Sequence, residues 1–161
     1  MRYVDLVGDS ELVQPGVFGR AVLGGYVVEL LDVVDMLGMD TRIVVGRVVG
    51  GRDDYKVVVQ FSGVSGGISE GSGVLVRCSC PSFRFWFGEA DRRAGVLFGR
   101  KMKRYVPVPD NLLVRGRPGP KNPGMIPGCC KHVMVLMKYL KSVGFIGLLY
   151  NKRVGGNYEI C

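Results

Sequence analysis

Histidine and tryptophan each occur once in these 161 residues, and apolar side chains never run on for the ~20 positions that a bilayer-spanning helix needs. The longest apolar stretches, Ala21–Leu31 and Val133–Leu140, are broken by Gly, Glu or Lys. No transmembrane helix and no membrane partner are expected. The N-terminus meets an acid at once, at Asp5, and shows no charged start, apolar run and small-residue cleavage site, so export by a signal peptide is not expected. Internal repeats, low-complexity tracts and long blocks of one charge sign are also missing. With 47% of residues apolar, the composition excludes global disorder. A chain of this length is one ordinary domain and buries roughly two thirds of the surface exposed when unfolded.

The usual signs of catalysis are missing too. No glycine-rich phosphate loop of the P-loop or dinucleotide type is present. Asp53-Asp54 falls in a turn with no partner cluster for acid–base work, and Glu29, Asp32 and Asp35 read as the solvated face of a helix. The single histidine is claimed by a metal, as argued below. The chain is expected not to be an enzyme.

Acids are scarce in the second half. Residues 1–77 carry seven Lys/Arg against ten Asp/Glu, and residues 78–161 carry fifteen against four, a net −3 and +11. Such a field concentrates anionic partners without naming them.

Along the chain, apolar residues around the three-residue spacing of Glu29, Asp32 and Asp35 predict a short helix over Tyr26–Leu37, stopped by Gly38. Val17–Val22 reads as strand or loop. From Arg42 the pattern turns strand-like: Ile43–Val45 and Val48–Val49, a turn at Gly50–Asp54, then Tyr55–Phe61, which together predict a hairpin. Ser62–Gly73 holds five Gly and four Ser in twelve residues and reads as a flexible hairpin loop, with disorder or induced fit as alternatives. The strand Val74–Cys78 follows. Residues 81–128 form a long basic, aromatic insert that ends in Arg117–Gly124, where proline density excludes helix and sheet. Lys131–Val143 places Val133, Leu136, Met137 and Leu140 at helical spacing, with Lys138 and Lys141 near its C-terminus, where cations suit the dipole. The expected fold class is α+β, a small antiparallel sheet with a C-terminal helix. Its expected organisation is an N-terminal packing or assembly region (1–54), a ββα zinc module with the insert (55–143) and a tail (144–161).

Four of the five cysteines gather with the lone histidine in two tight clusters, Cys78-Ser79-Cys80 and Cys129-Cys130-Lys131-His132. Clustering of this kind favours a metal site over a disulfide framework. Zinc prefers tetrahedral sulfur and nitrogen donors, and four protein ligands leave no position open for chemistry. Cys78, Cys80, Cys130 and His132 are the expected ligands of one structural Zn2+. Alternate residues at a strand end converge if Pro81 turns the chain, and the second pair lies where a helix begins, a place that favours thiolates. Disulfides or free thiols are the competing reading. Cys129 is an alternative to Cys130, and Cys161 reads as a free thiol.

With a strand before it and a helix after it, Cys78-x-Cys80 followed by Cys130-x-His132 resembles the SWIM-type zinc finger, a ββα module with the pattern CxC…CxH. The resemblance covers about residues 55–143. More narrowly, Cys78-Ser79-Cys80-Pro81-Ser82-Phe83-Arg84-Phe85, Asn122-Pro123-Gly124-Met125-Ile126-Pro127-Gly128 and Cys130-Lys131-His132 are similar to SWIM-like segments in virion proteins of tailed bacteriophages. The resemblance implies binding to nucleic acid or protein rather than catalysis. The forty-nine residues between Cys80 and Cys130 exceed the family's usual insert, so only the four ligands carry over.

Within the insert, Phe83, Phe85, Trp86 and Phe87 interleave with cations as in single-strand binders. Their alternation also fits the core face of a strand or turn beneath the metal, and core packing is the first reading. Arg92, Arg93, Arg100, Lys101, Lys103 and Arg104 are candidate contacts for phosphate or an acidic partner. The expected function is a zinc-stabilised structural or assembly protein, a phage virion component found in the virion or host cytoplasm, whose partners are its own copies or neighbouring subunits. A nucleic-acid-binding SWIM protein, contacting DNA or RNA, is the alternative. A redox-sensing zinc thiolate, resting on Cys129-Cys130, is a third.

Overall fold

The computed structural model describes residues 1–14, 16, 19, 21, 25–36, 38–50, 53–100, 122 and 124–147. Its elements are α1 (Tyr3–Val13), β1 (Val27–Met36), β2 (Thr41–Gly50), β3 (Asp53–Ser62), β4 (Ile68–Ser69), β5 (Gly73–Cys78), α2 (Pro81–Trp86), α3 (Gly88–Arg93), α4 (Lys131–Ser142) and β6 (Ile146–Gly147). The fold is α+β. β1, β2, β3 and β5 form an antiparallel sheet in that order, and β4 pairs with β6 in parallel.

The hairpin expected after Arg42 is the centre of the sheet. Valines on β2 and β3 send alternate side chains to one face, where Val44, Val48, Val57, Val59 and Phe61 are fully buried. This is the period of two that places every second residue on the same side. α4 lies against this face of β2, β3 and β5 with Val133, Met134, Leu136, Met137 and Leu140 buried, matching the helix expected over Lys131–Val143. Gly46 lets α4 approach: a Cβ there would stand 2.9 Å from Leu136 Cδ1.

The glycine-rich run Ser62–Gly73 does connect two paired strands, β3 and β5. It holds bonds of its own. Ile68 is buried, β4 bridges to β6, and Ser69 N–H donates to Ser72 Oγ at 3.0 Å.

The helix expected over Tyr26–Leu37 is instead strand β1, paired with β2 along its whole length. The three-residue acid spacing imitates a helix face but does not put the acids on one side of the strand. A β-bulge between Leu30 and Asp32, whose extra residue shifts the alternation, returns Asp32 to the side of Glu29, and Asp35, three residues further in regular register, falls on the other. The acids answer to β2 rather than to solvent alone. Glu29 lies opposite Arg47, and Asp35 lies opposite Arg42. Arg47 Nη1 stands 3.5 Å from Glu29 Oε2, and Arg42 Nη2 donates to Asp35 Oδ2 at 2.9 Å. Four valines, at positions 27, 28, 33 and 34, add the β-branched preference for strand.

A second correction concerns the insert's rings. Phe83, Phe85 and Phe87 do not alternate along a strand. Pro81 opens α2 at its first turn, as proline can, and Phe83 and Phe87, four residues apart, are fully buried while Phe85 is only partly so. Core packing does account for the two buried rings. Helix α1, which no pattern had singled out, turns Tyr3, Leu6 and Ser10 inward.

The two sheet edges differ. The outer edge of β5 is covered: Val74 N–H donates to the Met1 carbonyl (3.0 Å), Val76 N–H to the Val96 carbonyl (2.9 Å), and Phe98 N–H to the Val76 carbonyl (3.0 Å). The outer edge of β1 has no strand partner among the described residues, and Leu31–Met36 are all exposed. No helix among the described residues is long and apolar enough to cross a membrane.

Leu136→Ala is expected to cost about 2–5 kcal/mol in denaturant unfolding, the range for truncating a buried leucine. Gly46→Ala alone should destabilise by about 1–3 kcal/mol through overpacking, and by clearly less in the Leu136→Ala background, because the two sites share one space.

Candidate metal centre

Cys78 ends β5 opposite Val57 and so shares the buried face with Val74 and Val76. The ladder runs one residue further. Ser79 N–H donates to the Lys56 carbonyl at 3.0 Å, and Lys56 N–H donates to Ser79 Oγ at 3.0 Å. The chain then turns, so that Cys80 N–H points at Cys78 Sγ at 3.4 Å. Cys80 caps the N-terminus of α2, where its sulfur accepts from Phe83 N–H at 3.2 Å. Cys130 is the N-cap of α4, and His132 sits in its first turn.

These four side chains meet. Cys80 Sγ and Cys130 Sγ are 3.5 Å apart, Cys78 Sγ and His132 Nδ1 are 3.9 Å apart, and all four donor atoms lie within 4.8 Å of one another. A tetrahedral site with metal–sulfur bonds of about 2.3 Å has sulfur–sulfur edges of about 3.8 Å, so the donors are spaced for one ion at their centre. All four residues are buried. The set contains Cys130 and not Cys129, and Cys78, Cys80, Cys129 and Cys130 are all free of disulfides.

The imidazole is held by aromatic rings. Tyr55 lies over it with centroids 4.5 Å apart, and Tyr26 meets it edge-on at 5.7 Å. Tyr26 occupies the space over Gly50, where a Cβ would stand 2.0 Å from the ring, so this glycine is required by the packing around the histidine. Lys131 Nζ sits 5.3 Å from the Tyr26 centroid.

The electrostatics suit a cation. Hydrogen bonding from Cys130, then from Cys78, holds the Cys80 thiol far below its ordinary range, with Phe83 N–H adding to the effect. Burial pushes Cys130 well above that range, and the adjacent sulfurs add to it. Three sulfurs this close cannot all ionise unaided. A bound cation supplies the opposing charge that lets them do so. With four protein donors the coordination sphere is closed, which is the arrangement of a structural site.

The other sequence candidates are spread more widely. Arg92 and Arg93 lie on α3 and both reach Glu89. Arg92 Nη2 stands 2.6 Å from Glu89 Oε1, and Arg93 Nε stands 3.0 Å from it. Arg100 is exposed, and its carbonyl accepts from Arg77 Nη2 at 2.7 Å. Lys101, Lys103 and Arg104 lie outside the described residues, as do Cys161, Val17, Val22 and most of Arg117–Gly124.

Sequence reasoning passed over two buried polar side chains beside the ligand loop. Ser10 Oγ accepts from Cys129 N–H at 2.6 Å, and Asp91 Oδ1 accepts from Gly128 N–H at 2.8 Å. Ser10 follows Tyr3 and Leu6 on the inward stripe of α1, and a polar residue on such a stripe is the signal that would have found it.

Compared with family models, curated proteins and solved structures, the chain finds no match in any of the three.

Asp91 makes stability depend on pH. Burial pushes its carboxyl up to about 8, against the lowering effect of the Gly128 N–H, and its Oδ2 is buried with no hydrogen-bond partner among the described residues. The folded state therefore holds a proton that the unfolded chain releases near pH 4. The stabilisation is fully present below that value and is lost as pH rises through about 8. Between pH 6 and 8 the unfolding free energy should fall by about 2–3 kcal/mol and then level off. Asp91→Asn keeps the acceptor for Gly128 and should flatten the profile in denaturant titrations.

Proposed function

We propose that the four donors bind one zinc ion, and that the protein is a non-enzymatic structural or assembly protein of SWIM-like type, a virion component of a tailed bacteriophage. The observation that carries this reading is the closed, buried set of Cys78, Cys80, Cys130 and His132. Three thiolates and an imidazole in a tetrahedron select zinc among common divalent ions. A closed sphere holds elements together and leaves no site for substrate. The virion assignment rests on the CxC…CxH pattern and its flanking segments.

Assembly is supported by β1. An unpaired edge strand invites pairing with another chain unless it is blocked by charge, proline or a cover. Here Arg42 and Arg47 offset two of the three acids, and Leu31, Val33, Val34 and Met36 are exposed. The occupant that fits is a second β1, because an antiparallel edge is self-complementary about a two-fold axis. The net +11 of residues 78–161 supports the nucleic-acid reading instead.

One sample set tests these readings. Elemental analysis should find one zinc per chain in the wild type and none in Cys80→Ser or His132→Ala. Both variants should lose the folded signal of the C-terminal half, since such a site contributes on the order of 10 kcal/mol of folding free energy. Sedimentation should show concentration-dependent oligomers that are indifferent to nuclease and salt and are weakened by Val33→Lys or Val34→Lys. A complex with DNA or RNA whose affinity falls steeply with salt would favour the alternative. A zinc-free, folded wild type would sink the proposal.

A further inference from the structure

We infer that Ser10 of α1 and Asp91 of α3 are positioning residues for the metal: they fix the loop that delivers Cys130 and His132, and so couple the N-terminal helix to metal affinity. The inference rests on the metal reading above. Gly128 and Cys129 are the two residues before ligand Cys130, and their consecutive amides go to two different remote elements. Gly128 N–H donates to Asp91 Oδ1 at 2.8 Å, and Cys129 N–H donates to Ser10 Oγ at 2.6 Å. Both acceptor side chains have no exposed surface.

Neither contact is incidental to the loop. Residues 125–130 belong to no helix or strand, so their amides have no regular ladder to satisfy them, and a buried amide left unpaired is costly. Ser10 is oriented for the task. Its hydroxyl proton goes to the Leu6 carbonyl at 2.6 Å, which leaves a lone pair for Cys129. The loop backbone is pressed close, since a Cβ on Gly128 would stand 2.7 Å from Phe87 Cε1 and 2.9 Å from Ser10 Oγ. Upstream, Asn122 pins the start of the same loop. Its Nδ2 donates to the carbonyls of Trp86 (2.8 Å) and Ile126 (2.7 Å).

The loop is therefore anchored from α1, α2 and α3 before it reaches the metal. Groups that orient ligands without touching the ion commonly change metal affinity 10–100-fold when removed. Ser10 lies 120 residues before Cys130 in the chain, yet it sits one hydrogen bond from the neighbouring amide. This contact gives the N-terminal helix a role in holding the metal.

The test uses the full chain loaded with Zn2+ or with Co2+, whose thiolate charge-transfer and d–d bands report ligand geometry. Ser10→Ala and Asp91→Ala should each release zinc to a competing chelator with an affinity weakened about 10–100-fold, and should shift the Co2+ bands. Asp91→Asn, which keeps the acceptor for Gly128, should restore wild-type behaviour in both readouts. Leu136→Ala should lower the unfolding midpoint while leaving the Co2+ bands in place, which separates positioning from general destabilisation. Wild-type affinity and bands in both alanine variants would overturn the inference and leave the metal site standing. A wild type that takes up neither ion would instead remove the metal reading itself. If Ser10→Ala does not fold, the contrast between Asp91→Ala and Asp91→Asn decides.

Discussion

Three sulfurs and one imidazole nitrogen share a buried volume in which each pair of donors lies within 4.8 Å, and the rest of the architecture can be read as the means of bringing them there. One pair rides on the end of β5 and the cap of α2, and the other on the cap and first turn of α4. Forty-nine residues separate the pairs in the chain, so closing that loop costs conformational entropy, and an ion bound by both pairs offsets it. Burial raises the cost of leaving the thiolates without a cation, and this same cost makes the site selective for being filled.

The sheet supplies the rigid side of the centre. Register between β3 and β5 sets Cys78 opposite Val57, and the Ser79–Lys56 pair extends the ladder just far enough to turn Cys80 back toward it. α4 supplies the other side, carrying His132 in its first turn and packing its buried stripe on β2, β3 and β5. Tyr26 and Tyr55 then hold the ring from two directions. The loop before Cys130 is held by the side chains of Ser10 on α1 and Asp91 on α3 and, through Asn122, by the Trp86 carbonyl of α2, so the candidate centre draws on these helices as well as on the strand and helix that carry the four donors.

Charge is arranged differently from its distribution along the chain. The acids of β1 that give the first half its negative balance are partly matched by Arg42 and Arg47 on the neighbouring strand, and two cations of the insert share Glu89. Among the described residues the outer edge of β1 has no strand partner, and exposed Leu31, Val33, Val34 and Met36 stand there beside Asp32 and Asp35. The proposed assembly rests on this edge.

The sequence by itself determined the elements whose signals are local. Alternating β-branched residues around a Gly-Asp turn made the β2–β3 hairpin legible, helical spacing with C-terminal lysines made α4 legible, and Cys-x-Cys with Cys-x-His marked the four donors. Each strand, the helix and each ligand pair is marked by residues close together in the chain, so its signal needs no knowledge of distant neighbours. Only the tertiary structure decided β1, because a three-residue acid spacing has the period of a helix until the pairing with β2 and the facing Arg42 and Arg47 are known. It also decided that Phe83 and Phe87 share a helical face, that Cys130 rather than Cys129 joins the donor set, and that Ser10 and Asp91 serve the ligand loop. The last two contacts join residues 37 and 119 positions apart, and no local periodicity records which distant amide a buried oxygen will meet.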